Sequence, residues 1–303
     1  MKYHPLTILL LLLFSSFNLY AQLNIEVTSE VSRDNKGYDF RYTKQKYGTY
    51  SLKLFFTSSD NISMHQTAFV LKSPSGILTN AKRIDETKPS NFRYTYRYAR
   101  GHISEKVDST FTYILPFKKG IKTNASYLYN VREKYFGEDI KTWTALHFLS
   151  KNPDTVCAIR KGMVVEVIDK YATDMSASVS YSSERNSILV EHADGTLASY
   201  NGFDSSKIFV KEGDTVFPNQ PLGALAPYDK DKDYQLTLMI YYLTKFDSKE
   251  DKQTNNYSYY NPVFLIDGSP KKLENFKNYT SEVSDEIIQK EMSKKELKRF
   301  LKK

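Results

Sequence analysis

A chain of 303 residues, 40% hydrophobic and 26% charged, has room for two ordinary domains, each with a buried core. Its net charge of +8 is unevenly placed: Lys290 to Lys303 holds seven basic and two acidic residues, so that segment alone carries +5. Without Lys2 and that tail only about +2 remains, with both signs interspersed, which excludes the one-sided footprint of a nucleic-acid binder.

The first 21 residues read as a signal peptide. Lys2 supplies a positive start, Leu6 to Phe14 is an apolar run short of a bilayer span, and Leu19-Tyr20-Ala21 precedes Gln22 as a cleavage site. The expected location is the periplasm or the medium. No Cys stands immediately after that site, which argues against a lipid anchor. Cys157 is the single cysteine, so no internal disulfide forms, and its place in an apolar stretch predicts a packed core thiol.

Twenty-four Tyr and eighteen Phe favour strands, where flat rings pack on pleated surfaces. Residues 22–125 alternate with period two. Tyr38, Phe40 and Tyr42 form one set, and Tyr50, Leu52, Leu54 and Phe56 another. Phe92, Tyr94, Tyr96 and Tyr98 alternate with Arg93, Thr95 and Arg97, and Phe111, Tyr113, Leu115 and Phe117 follow. With turns such as Ser73-Pro74-Ser75-Gly76 between them, these sets predict an N-terminal antiparallel β-sandwich. Tyr127 to Thr144 reads as a polar connection.

A second β-rich domain is expected over residues 126–268. Its strands are Thr155–Ala158, Met163–Val167, Ser187–His192, Leu197–Tyr200, Ile208–Val210 and Tyr234–Tyr242, with a Ser-rich loop between Ile168 and Arg185. Ala193-Asp194-Gly195 has the chemistry of a tight hairpin, glycine supplying the positive φ. Residues 269–303 are read as a basic, partly helical tail. Ser284 can cap the helix, Asp285 and Glu286 lie in its first turn and cations crowd its end. A solvated helix, dispensable for folding, is expected, with weak contact to an anionic membrane as the alternative. The fold class is therefore all-β, ending in a short helix.

The order of motifs in the second region resembles the scaffold of LytM/lysostaphin-type zinc metallopeptidases, which cleave peptidoglycan. It runs Val156-Cys157-Ala158, then Gly162-Met163-Val164-Val165, then Glu191-His192-Ala193-Asp194-Gly195 and Tyr200. Val210-Lys211-Glu212-Gly213-Asp214-Thr215-Val216 and Gln220-Pro221-Leu222-Gly223 complete the series. The match covers about residues 143 to 265. The same glycine hairpin occurs in biotinyl and lipoyl carriers, but no lysine-bearing tip stands where their cofactor attaches.

What the resemblance implies about metal is negative. The family holds zinc with an H-x-x-x-D pair and the second His of an H-x-H strand, and uses two more His in catalysis. Those positions fall here on Trp143, His147 and Thr237 for the metal, and on Gly202 and Gln235 for catalysis. If His147 is taken as the first ligand, its partner is Lys151, a poor ligand while protonated. An amide and a hydroxyl are likewise poor zinc ligands. His192 belongs to the H-x-DG turn, read as scaffold, and Asp194, Asp231 and Asp233 are read as solvated or turn-stabilising carboxylates. Trp143, His147, Tyr200, Gly202, Gln235 and Thr237 are the expected lining of a groove with no metal and no cofactor.

The resemblance thus implies an exported bacterial envelope protein, a pseudoenzyme whose partner is peptidoglycan or a cell-wall hydrolase. Relatives lacking zinc ligands act as activators of such enzymes. An active zinc endopeptidase using His147, His192 and Asp194 is the alternative from the enzyme class. A scaffold or adhesion protein is the third.

Overall fold

The computed structural model describes residues 25–103, 107–128, 143–172, 184–227, 233–245 and 257–302. The expected leader, most of the Tyr127–Thr144 connection and of the Ile168–Arg185 loop, and Asp231 lie outside them. The described chain is all-β apart from two short helices, Asp285–Gln289 and Lys294–Phe300.

Alternation builds the N-terminal unit as expected. One sheet has the order Ile25–Val31, Gly37–Lys44, Ser75–Arg83, Ile62–Ser63, and the other Ala68–Leu71, Tyr50–Asp60, Asn91–Arg100. Every pairing is antiparallel. Their inward residues Ile25, Phe40, Leu52, Leu54, Leu71 and Ala81 form one core, where each large side chain contributes roughly 1.5–3 kcal/mol by leaving water. The Tyr94 and Tyr96 hydroxyls donate to the carbonyls of Val27 (3.2 Å) and Ile25 (3.1 Å). These tyrosines therefore tie the two sheets together rather than standing out for a ligand.

The second unit is built on an 11-stranded sheet. Its central run is Gly162–Ile168, Asn186–Glu191, Leu197–Ile208, Tyr234–Leu243, Leu146–Ser150, Lys122–Tyr127 and Lys277–Thr280. One face fills the main core with Leu146, Phe148, Ile188, Val190, Ala198, Tyr200, Leu236, Leu238 and Ile240. Cys157 lies fully buried near this core, and burial pushes its thiol up to about 12, as a packed thiol requires. The Asp-Gly hairpin closes as read: Gly195 has φ +84°, and Asp194 Oδ1 accepts from the Thr196 backbone N–H and hydroxyl.

Two boundaries move. Phe111, Tyr113, Leu115 and Phe117 belong to the second core, not to the sandwich, and Thr112–Tyr113 pairs in parallel with Val263–Ile266. The sandwich core ends by about Arg100, because period two shows that a segment is a strand without showing which sheet it joins. The tail is not a loose appendage either. Ser269–Lys271 pairs with Val263–Ile266, Lys277–Thr280 pairs with Lys122–Tyr127, and Leu273 and Ile288 are buried.

The outer face of the large sheet is shared. Val165, Leu189, Leu197, Tyr241 and Tyr257 form a patch there, and the sandwich reaches it: the Tyr257 hydroxyl donates to the Arg100 carbonyl (2.9 Å). Arg100 pairs with Glu166 (3.0 Å), and the Thr49 N–H donates to the Glu191 carboxylate (2.7 Å). The remainder of that face holds the candidate site.

Candidate functional site

Strand Tyr234–Leu243 turns Leu236, Leu238 and Ile240 into the core and Gln235, Thr237 and Met239 outward. Thr237 is registered opposite His147 on one neighbour and opposite Asn201 on the other. Directly opposed side chains in a sheet have Cβ atoms about 4.5–5.5 Å apart, so His147, Thr237 and Asn201 form a row across three strands. The Asn201 amide donates to Ser199 Oγ (3.0 Å) on the same face.

Gln235 stands diagonal to His147 across this strand pair, close enough to influence its imidazole. Burial is the main influence on its imidazole and lowers its pKa, Gln235 opposes that, and nearby Arg185 lowers it further. The ring is neutral at pH 7, as a metal ligand would have to be. Trp143 is buried and packs with Ala145, Met239 and Tyr259, its ring centroid 6.5 Å from that of Tyr259. Met239 lies two residues beyond Thr237, so Trp143 floors the same face further along.

Two sequence candidates do not line this surface. Tyr200 points to the core, fully buried, and its hydroxyl accepts the Ile159 N–H (3.0 Å). The reading of Tyr200 as a groove residue is therefore corrected: in Leu197–Ile208 it sits on the opposite parity from Asn201. Gly202 is the extra residue where the pairing with Asn186–Glu191 shifts register, at φ +123°. A Cβ there would lie 2.2 Å from the Gln235 carbonyl oxygen, so this backbone has no room for an imidazole at position 202. Asn201 and Ser199 occupy no motif position, and the sequence signal that places them here is alternation from the buried Ala198 and Tyr200.

Asp233 and Asp194 are paired with cations, and the second histidine is held on the far side of the sheet. Lys151 pairs with Asp233 (2.6 Å). His192 is buried, and its Nδ1 lies 2.8 Å from the Lys161 carbonyl, which can only accept, so Nδ1 carries the hydrogen. Asp194 Oδ2 takes the Arg160 guanidinium (2.8 Å), and Arg160 also makes two bonds to Glu291 (2.7 and 3.0 Å) and stacks 3.9 Å over Phe111. This network stands on the core side, against Tyr113, and not on the face that bears His147. Among the described residues no three His, Cys, Asp or Glu side chains are placed to share one metal ion.

No family profile and no curated protein matches the sequence. Among solved structures, the chain is similar to pseudoalterin, an M23 metalloprotease from the deep sea, at 17% identity and TM-score 0.32, over 56% of this chain and 99% of that one. It is also similar to a protein from Pseudomonas aeruginosa described as a peptidase M23, at 12% identity and TM-score 0.29, over 63% of this chain and 82% of that one.

Proposed function

We propose that this chain is an exported envelope protein whose second unit is a LytM-type peptidase-like domain acting without catalysis, by binding peptidoglycan or regulating a cell-wall hydrolase. One observation carries the reading. His147, Gln235 and Thr237, which the motif order aligns with zinc and catalytic positions, meet on one outer face and offer one imidazole, one amide and one hydroxyl.

That donor set does not fit zinc. The ion needs several deprotonated nitrogen, sulfur or carboxylate donors in tetrahedral array, and the indole of Trp143 supplies none. The rival set of His147, His192 and Asp194 does not converge. His192 and Asp194 stand on the core side, His192 held through Nδ1 by the Lys161 carbonyl and Asp194 paired with Arg160, while His147 stands on the outer face. What the face offers is neutral hydrogen-bonding groups beside a Trp143–Tyr259 floor, a surface for an amide- or hydroxyl-rich ligand.

Elemental analysis of metal-replete protein should give far less than one zinc per chain, and purified cell wall should yield no new muropeptides. One tightly held zinc, with cleavage abolished by His147→Ala, would replace this reading with the endopeptidase. Capture on purified cell wall, set against capture of a hydrolase from envelope extract, decides between the two binding roles.

A further inference from the structure

The end of the chain carries a charged surface that owes nothing to the His147 face. Helix Lys294–Phe300 starts at Ser293 with a complete capping box, the Ser293 hydroxyl accepting from the Glu296 N–H and the Glu296 carboxylate accepting from the Ser293 N–H. The acids of this segment, Glu291 and Glu296, are both turned inward. Glu291 grips Arg160, and Glu296 takes Lys161 at 2.8 Å. The helix is therefore clamped in one orientation by its own carboxylates.

What remains outward is cationic. Lys294, Lys298 and Lys302 recur every four residues, with Lys295 and Arg299 in the adjacent row, and all five are exposed. They line one open depression of about 390 Å³, and among the described residues none of the five forms an ion pair. Beside them Leu301 is 69% exposed, next to Lys302 and three residues from Lys298.

We infer that this clamped basic face docks on an anionic lipid surface, its five cations meeting headgroup phosphates and Leu301 entering the apolar margin. Opposite charge draws lysines and arginines to such surfaces within a Debye length. An exposed leucine within the cation set favours a bilayer over a soluble polyanion, which has no apolar phase to receive it. Clamping matters because the ordering cost is met on folding, not on docking.

The test is co-sedimentation of the full chain with vesicles of phosphatidylglycerol and phosphatidylcholine, against phosphatidylcholine alone. The second set also controls for insertion of the apolar run Leu6–Phe14. Binding should require phosphatidylglycerol, weaken with added salt, and fall by at least about tenfold when Lys294, Lys295, Lys298, Arg299 and Lys302 are all changed to Gln. An unchanged circular dichroism spectrum and melting temperature would show that this variant folds. Leu301→Ser should weaken vesicle binding and leave binding to poly-aspartate unaltered. Binding indifferent to phosphatidylglycerol, or to the five changes, overturns the proposal. Loss of poly-aspartate binding in parallel with an inert Leu301→Ser would also overturn it, assigning the face to a soluble polyanion.

Discussion

Arg160 and His192 occupy one buried polar node, and their charges are managed differently. The Arg160 side chain is only 4% exposed, yet Asp194 and a bidentate Glu291 surround it, so its charge is matched by carboxylates instead of water. His192 has no such partner. Burial first, and then the neighbouring Arg160 cation, push its pKa down to about 4, and its buried Nε2 has no hydrogen-bond partner. The unfolded imidazole titrates near 6.5, so between about 6.5 and 4 the unfolded chain binds the extra proton. Stability therefore falls as pH falls through that window, by on the order of 3 kcal/mol from this group, and no further below it. Thermal melts of wild type and His192→Asn, whose amide can replace the Nδ1 donor, should diverge there, with the variant losing less. Parallel pH profiles would show that His192 is not the responsible group.

At the scale of elements, the last two helices behave as a latch rather than an appendage. Ile288 is buried, Glu291 satisfies Arg160 and Glu296 satisfies Lys161. Truncation before Ser284 leaves a buried guanidinium with Asp194 as its remaining carboxylate, and breaking such a pair typically costs about 3–5 kcal/mol. Denaturant unfolding of the truncated chain should show a loss of that order. A change under about 1 kcal/mol would restore the dispensable tail that composition suggests. The strand Leu197–Ile208 makes a related point. Its bulge at Gly202 brings the Gln235 carbonyl against the glycine Cα, so the site geometry and the choice of residue at 202 are one constraint.

Across the whole molecule, the sandwich and the large sheet share an interface fastened by polar groups. Glu191 is buried and accepts the Thr49 N–H, Arg100 pairs with Glu166 and lies 5.0 Å from the Tyr50 ring centroid, and Tyr257 closes on the Arg100 carbonyl. Glu191→Ala removes an acceptor from a buried N–H, which costs about 1–3 kcal/mol. Hydrogen exchange at Thr49 should accelerate in that variant while exchange at the core positions Phe40, Leu52 and Leu54 holds steady. Equal acceleration in both would mean that the interface and the sandwich core open together. The interface also bounds the candidate site, since the covered patch around Leu197 and Tyr241 leaves the row of His147, Thr237 and Asn201 as the adjoining part of that face.

Local patterns by themselves determined the all-β class, most strand positions in the second unit, the Asp194-Gly195 hairpin and the buried state of Cys157. Alternation and turn chemistry are set within a few residues and survive whatever the strand pairs with. The motif order also selected His147, Gln235 and Thr237, which share a face because strands crossing in register bring distant residues of matching parity together. Only the tertiary structure decided the rest. Phe111 to Phe117 alternate equally well for either core, and their partners, Val156 and Val263, lie far along the chain. Tyr200 sits beside motif residues in sequence but on the opposite parity from Asn201. Glu291 and Glu296 look like ordinary members of a solvated helix until Arg160 and Lys161, more than a hundred residues away, are seen to hold them. Long-range pairing of charges and sheets leaves no local periodicity, so it is read only when the chain is folded.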